Sequence, residues 1–215
     1  MNYIIFPEDP STKFMNVVFK RAIVLGLDNQ FEIISCRPED SGYKEAIDNI
    51  KNIPSGSRVI FIGHSTPNKI YGGQSDSFER KTLLSLDNMS IFRDKELILV
   101  SCFSNKLIES SRGHRNYSNC IGFGLLPSEL DEVSSHSGMR NLDLKQEDID
   151  KFTDILASII SDSICYMLKH NTDIYELFRY IKVLINKKAN DLIINDNDEK
   201  LGELLFYVST ETLVE

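Results

Sequence analysis

At 215 residues, 41% hydrophobic and 26% charged, the chain can bury one substantial core and has the balance of a globular protein. Its 32 acidic against 24 basic residues leave a net charge of -8, which repels phosphate backbones and argues against a nucleic-acid partner. No apolar run approaches the roughly 20 residues that span a bilayer, and four cysteines without a CxxC pair suit neither a disulfide framework nor zinc.

The start, Met1 to Pro7, has no basic leader or cleavage site. The expectation is therefore one domain over 1–215 in a reducing cytoplasm, with no membrane, metal or cofactor. The short basic stretch Arg112, His114 and Arg115 has no stacking aromatics around it.

Short apolar runs alternate with helix-like stretches. Tyr3 to Phe6 reads as a buried strand, stopped by Pro7-Glu8-Asp9-Pro10. Ser11 stands as a helix N-cap before Phe14, Val17, Val18, Ala22 and Leu25 at helical spacing, with Gly26 closing that helix. Phe31 to Ser35 is a second strand, and Ser41 to Asn52 a second helix with Tyr43, Ala46, Ile47 and Ile50 on one face. Arg58 to Gly63 is a third strand whose unbroken apolar character predicts cover on both sides.

A polar loop, Ser65 to Asp76, then precedes a short predicted helix from Phe78 to Leu86. Glu96 to Ser101 is the fourth strand, Phe103 to Ser111 a helix, and Asn119 to Gly124 the fifth strand. Leu125 to Lys145 reads as loop, followed by helices over Glu147 to Lys169 and Asp173 to Lys187. An acidic loop from Asn190 to Lys200 and a last strand from Leu204 to Ser209 complete the chain. Such alternation predicts an α/β domain with a mostly parallel sheet and helices on both faces.

In sheets of this kind, chemistry gathers at the carboxyl ends of the strands. The third strand ends in Gly63-His64-Ser65 and the fourth in Ser101-Cys102-Phe103, so His64 and Cys102 hold equivalent places on consecutive strands. If those strands are neighbours, about 4.8 Å separates their backbones. An imidazole there can take a thiol proton and return it to a leaving amine. Turn N–H groups can hold the oxyanion, and a helix starting after Cys102 would favour the thiolate. Cys36 also ends a strand but has no histidine in register, Cys120 starts a strand, and Cys165 lies among Ile160, Ile164 and Leu168 as core.

The segments Val59 to Ser65 and Leu97 to Cys102 resemble the caspase-like cysteine peptidases, a group with metacaspases, clostripain and gingipain types and the bacterial CHAT proteases. The loop Asn68 to Gly73 is similar to the segment after the histidine in bacterial members. The resemblance implies a caspase-like three-layer sandwich of about six strands, with Cys102 as nucleophile and His64 as general base and acid. The N–H groups of Ser65 and Cys102 would form the oxyanion hole. Ser65 departs from the glycine usual after the histidine.

Members differ in specificity. Glu8 and Asp9 at a rim position, with Asp131 and Glu132 on the loop after strand five, favour cleavage of protein or peptide substrates after a basic residue. Bacterial relatives often serve stress or antiphage defence, and an activating partner protein or an ordered loop is expected to complete the site. A catalytically inactive interaction module on the same fold stays open. An esterase is disfavoured because Pro67 replaces the last glycine of Gly-x-Ser-x-Gly, and no GxGxxG supports a dinucleotide site.

Overall fold

The computed structural model describes residues 1–113 and 117–215, so His114 and Arg115 of the short basic stretch lie outside the described residues. The main sheet is built from β1 (Asn2–Pro7), β2 (Phe31–Cys36), β3 (Arg58–Ile62), β7 (Glu96–Val100), β8 (Asn119–Gly122) and β9 (Leu213–Val214). Their spatial order is β2-β1-β3-β7-β8-β9, parallel throughout except that β9 runs against β8.

The unbroken apolar third strand predicted burial on both sides, and the two cores show how that is met for it and its neighbours. Ile4, Ile60, Ile62, Ile98, Val100 and Ile121 face one core. The alternate residues Ile5, Val59, Phe61, Leu97, Leu99 and Cys120 face the other, as the two-residue period of a strand requires.

The first core is closed by four helices: α1 (Val17–Val24), α5 (Gln146–His170), α6 (Ile174–Ile194) and α7 (Glu199–Glu211). The second is closed by α2 (Asp40–Lys51), which buries Tyr43, Ala46 and Ile50, and by α3 (Ser104–Ser110), which buries Leu107 and Ile108. This is an α/β arrangement of three layers. At about 25 cal/mol per Å² of apolar surface, burying each large aliphatic side chain contributes roughly 1.5–3 kcal/mol, an upper figure because the unfolded chain is already partly compact.

Five sequence expectations are corrected. Phe78 to Leu86 is not a helix: it contains β6 (Thr82–Ser85), which pairs antiparallel with β5 (Lys69–Tyr71), itself paired with β4 (Ser65–Thr66). The polar loop after His64 thus folds into a separate three-stranded sheet, with Ile70, Leu83 and Leu84 buried in the second core. The supposed last strand, Leu204 to Ser209, lies inside α7, where the Asp198 side chain accepts from Leu201 N and caps the helix. Leu201, Leu204, Leu205 and Val208 are buried at helical spacing, and the true final strand is the two-residue β9.

The loop from Leu125 to Lys145 carries α4 (Leu130–Ser134), and α6 extends to Ile194, into the stretch read as an acidic loop. The first helical element, finally, begins with a 3₁₀ stretch, Pro10–Asn16, capped by Asp9 rather than Ser11.

β2 and β3 flank β1 on opposite sides, so strand order reverses between β1 and β3. The crevice of a doubly wound sheet opens at such a reversal, beyond the carboxyl ends of the strands. Asp9 follows β1 there, His64 follows β3, and Cys102 follows the next strand along.

Candidate active site

The ladder between β3 and β7 aligns Phe61 with Leu99 and Ile62 with Val100. His64 and Cys102 each stand two residues beyond the last aligned pair, and they share the parity of Ile60, Ile62, Ile98 and Val100. Both line one narrow cavity on the α1/α5 side, with Ser11, Phe14, Met15, Leu126 and Leu156. Its free space is about 30 Å³, room for a water or two and not for a peptide. Sheet register therefore brings together the two residues that sequence places 38 apart.

The turn after β7 is tight. Phe103 adopts φ +56°, ψ +21°, a left-handed conformation uncommon for a bulky residue, and its N–H donates to the Gly124 carbonyl at 2.8 Å. Ser104 Oγ–H lies 2.7 Å from the Leu99 carbonyl and accepts from Phe123 N–H at 2.8 Å, tying the ends of β7 and β8 together. Ser65 joins β3 to β7 in a similar way. Its hydroxyl donates to the Cys102 carbonyl at 2.5 Å and lies 2.7 Å from Ser101 Oγ. A glycine in that place would leave both contacts unmade.

The thiol is buried and held protonated. Cys102 Sγ donates to the Leu126 carbonyl at 3.2 Å, and no hydrogen bond joins it to His64. Burial, with a smaller contribution from the negative charge of Glu132, pushes the thiol up to about 12. Whatever the short helix α3 contributes at its start, desolvation outweighs it. The Cys102 N–H donates to no main-chain carbonyl among the described residues. Ser65, the other expected oxyanion donor, is buried at the start of β4.

His64 is lowered from its ordinary value, first by burial and then by the Arg80 guanidinium, while Asp9 and Glu132 pull the other way. It is a neutral imidazole near pH 7. Its Nε2 lies 2.7 Å from Ser11 Oγ and 3.9 Å from Asp9 Oδ2.

The residues expected to bind substrate are in different situations. Asp9 is buried, and its carboxylate is fully engaged: Ser11 N–H donates to Oδ1 at 3.0 Å, Ser11 Oγ–H to Oδ1 at 2.7 Å, and Arg80 to Oδ2 at 2.8 and 3.0 Å. Burial pushes the Asp9 carboxyl up, yet the Ser11 bonds and Arg80 outweigh it and hold it below the usual carboxylate value. Glu8 is exposed, accepts from Ser35 Oγ–H at 2.7 Å, and with Asp9 and Lys13 lines an open cleft of about 450 Å³. Glu132 Oε2 accepts from Ser128 N–H and Glu129 N–H at the start of α4, and Asp131 is exposed on that helix.

Two site residues escape the sequence reading, Ser11 in its contact with His64 and Arg80. Ser11 two places after Asp9, at a strand end, was the available signal for the first. Arg80 comes from the turn between β5 and β6, and nothing local marks it.

The fold and the site thus define an α/β protein with a thiol and an imidazole at adjacent parallel strand ends. No family model and no curated protein matches the chain. Among the described residues no cluster of His, Cys, Asp or Glu is placed to hold a metal, and no helix is long and apolar enough to cross a membrane.

Proposed function

We propose that the chain is a caspase-like cysteine endopeptidase in which Cys102 is the nucleophile and His64 the general base and acid. The observation that carries the reading is the alignment of Ile62 with Val100, which sets His64 and Cys102 side by side over one cavity. In the reaction the thiol turns from the Leu126 carbonyl to His64, and the neutral imidazole takes its proton. The thiolate attacks the scissile carbonyl carbon, and the Cys102 N–H holds the resulting oxyanion. The imidazolium then protonates the leaving amine as the C–N bond breaks, and water hydrolyses the thioester to restore the thiol.

The cavity admits no peptide as it stands, so the segment from Leu125 to Ser128 moves in the active form, and a partner protein is the expected trigger. A basic P1 residue is the specificity to test first. Glu8 in the open cleft and Asp131 support it, whereas the Asp9 charge is already met by Arg80. Stress or antiphage defence in a cytoplasm rests on family analogy alone.

A second reading, an inactive interaction module on the same sheet, draws on the burial of the thiol and its bond to Leu126. The deciding experiment is cleavage of a mixed fluorogenic peptide library by wild type and Cys102→Ala. Cleavage lost in the variant supports the peptidase, and the residue preceding the cut decides specificity. Equal turnover by both proteins rules out Cys102 as nucleophile.

A further inference from the structure

We infer that Asp9 and Ser11 form a hydroxyl-bridged relay that assigns the proton of His64 to Nε2 and leaves Nδ1 as the bare base. The inference rests on the peptidase reading for its catalytic meaning, but the relay itself is a matter of proton counting. The Ser11 hydroxyl has one hydrogen. Asp9 is ionised and acts only as an acceptor, and its Oδ1 lies 2.7 Å from Ser11 Oγ, so that hydrogen is given to Asp9. Ser11 Oγ is then an acceptor toward its other partners. Arg80 reaches it at 3.4 Å as a donor, and His64 Nε2 reaches it at 2.7 Å. A bare Nε2 would place two acceptors face to face, so Nε2 carries the hydrogen.

An N-cap alone would explain the bond from Ser11 N–H to Asp9, because that geometry is local to Pro10–Asn16. It does not explain the 53-residue reach to His64 or the guanidinium fixed on the outer oxygen of Asp9. Only 2% of the Asp9 side chain is exposed, so its charge acts over low-dielectric ground and Arg80 sets how much of it His64 feels. The charged and titratable groups around the imidazole are Asp9 after β1, Arg80 from the β5–β6 turn, Glu132 of α4 and Cys102 after β7. Asp9 and Ser11 are positioning residues here, since neither touches the reacting atoms.

The test is proton NMR of the full chain with ¹⁵N-labelled histidine, the four histidines being assigned with the help of His64→Gln. Wild type is expected to show an Nε2–H proton at His64 shielded from exchange with water. In Ser11→Ala that proton exchanges freely and the His64 titration midpoint falls, because the imidazolium loses an acceptor. Ser11→Thr restores both. Asp9→Asn lowers the midpoint on its own and serves if Ser11→Ala does not fold.

On any peptide that wild type cleaves, Ser11→Ala lowers kcat about 10- to 100-fold with KM within about twofold, the range for a hydrogen bond to a group that becomes charged. An unchanged His64 proton and midpoint in folded Ser11→Ala overturns the relay, whatever happens to turnover. A relay signature that responds as expected, in a protein whose cleavage does not depend on Cys102, upholds the relay and removes the peptidase reading.

Discussion

Leu126→Ala tests what keeps the thiol protonated. Leu126 supplies the carbonyl that accepts from Cys102, and its side chain is buried over the same cavity of about 30 Å³. The substitution leaves that carbonyl in place and removes three carbons, worth about 2.4 kcal/mol at roughly 0.8 kcal/mol per buried methylene. A residual void costs more in proportion to its volume, so the loss in a urea melt should be about 3 kcal/mol. The enlarged cavity has polar partners in the thiol, the Leu126 carbonyl and His64, and it fills with water.

Hydration then lowers the thiol from about 12 toward its ordinary value of 9.0, a range of three pH units or about a thousandfold in thiolate at neutral pH. Alkylation by iodoacetamide, followed by mass spectrometry of each cysteine peptide, should therefore accelerate at Cys102 by at least about tenfold, with about a thousandfold as the ceiling. Cys36, Cys120 and Cys165 are buried elsewhere and serve as references, since global unfolding would expose all four together. An unchanged rate at Cys102 in protein whose urea curve shows it folded would refute the argument that burial under Leu126 holds the thiol up.

Three further outcomes follow from the same groups. Because the folded thiol is raised above its unfolded value, its contribution to stability is intact below pH 9.0 and is lost as the pH climbs toward about 12; denaturant melts of wild type should lose about 4 kcal/mol more than Cys102→Ala across that window. Arg80→Met strips the counter-charge from buried Asp9 and should cost about 3 kcal/mol at neutral pH. Asp9 is depressed in the wild type, so stability that it lends is present at neutral pH and drains away through the acid carboxylate range, and the gap between the two proteins should narrow there. Gly73→Ala places a Cβ 2.3 Å from the Cys36 carbonyl oxygen and 2.8 Å from that of Glu8, both main chain, and a urea midpoint corresponding to a loss of about 2–3 kcal/mol is expected.

The parallel strands were readable because each is a short apolar run bounded by turn residues, and their carboxyl ends pointed to His64 and Cys102 before any contact was known. The three-stranded sheet was not readable, since Phe78, Leu83 and Leu86 suit a helix as well as a strand until β5 is there to pair with β6. Leu204 to Ser209 misled for a related reason. Six mostly apolar residues look like a buried strand, and only Asp198 three residues before Leu201 marks a helix start. Ser11 and Arg80 depend on a meeting of three chain segments across the switch point, which no local pattern encodes.

The separate sheet of β4, β5 and β6 is inserted between the strands that end at His64 and at Cys102, and it touches that pair directly through Ser65 of β4, whose hydroxyl meets the Cys102 carbonyl. The alignment of the strands belongs to the β3–β7 ladder, so the exposed positions Asp76, Ser77 and Glu79 can change composition while the thiol and imidazole keep their places, with Phe78 between them held against Tyr43 and paired with Ser75. Arg80, at the end of that stretch, also reaches back into the site, where its guanidinium meets Asp9. The insertion behaves as an exchangeable cartridge: evolution or an engineer can rewrite what it presents to the outside, provided that Ser65 still meets Cys102, Phe78 still packs on Tyr43 and the guanidinium still arrives at Asp9.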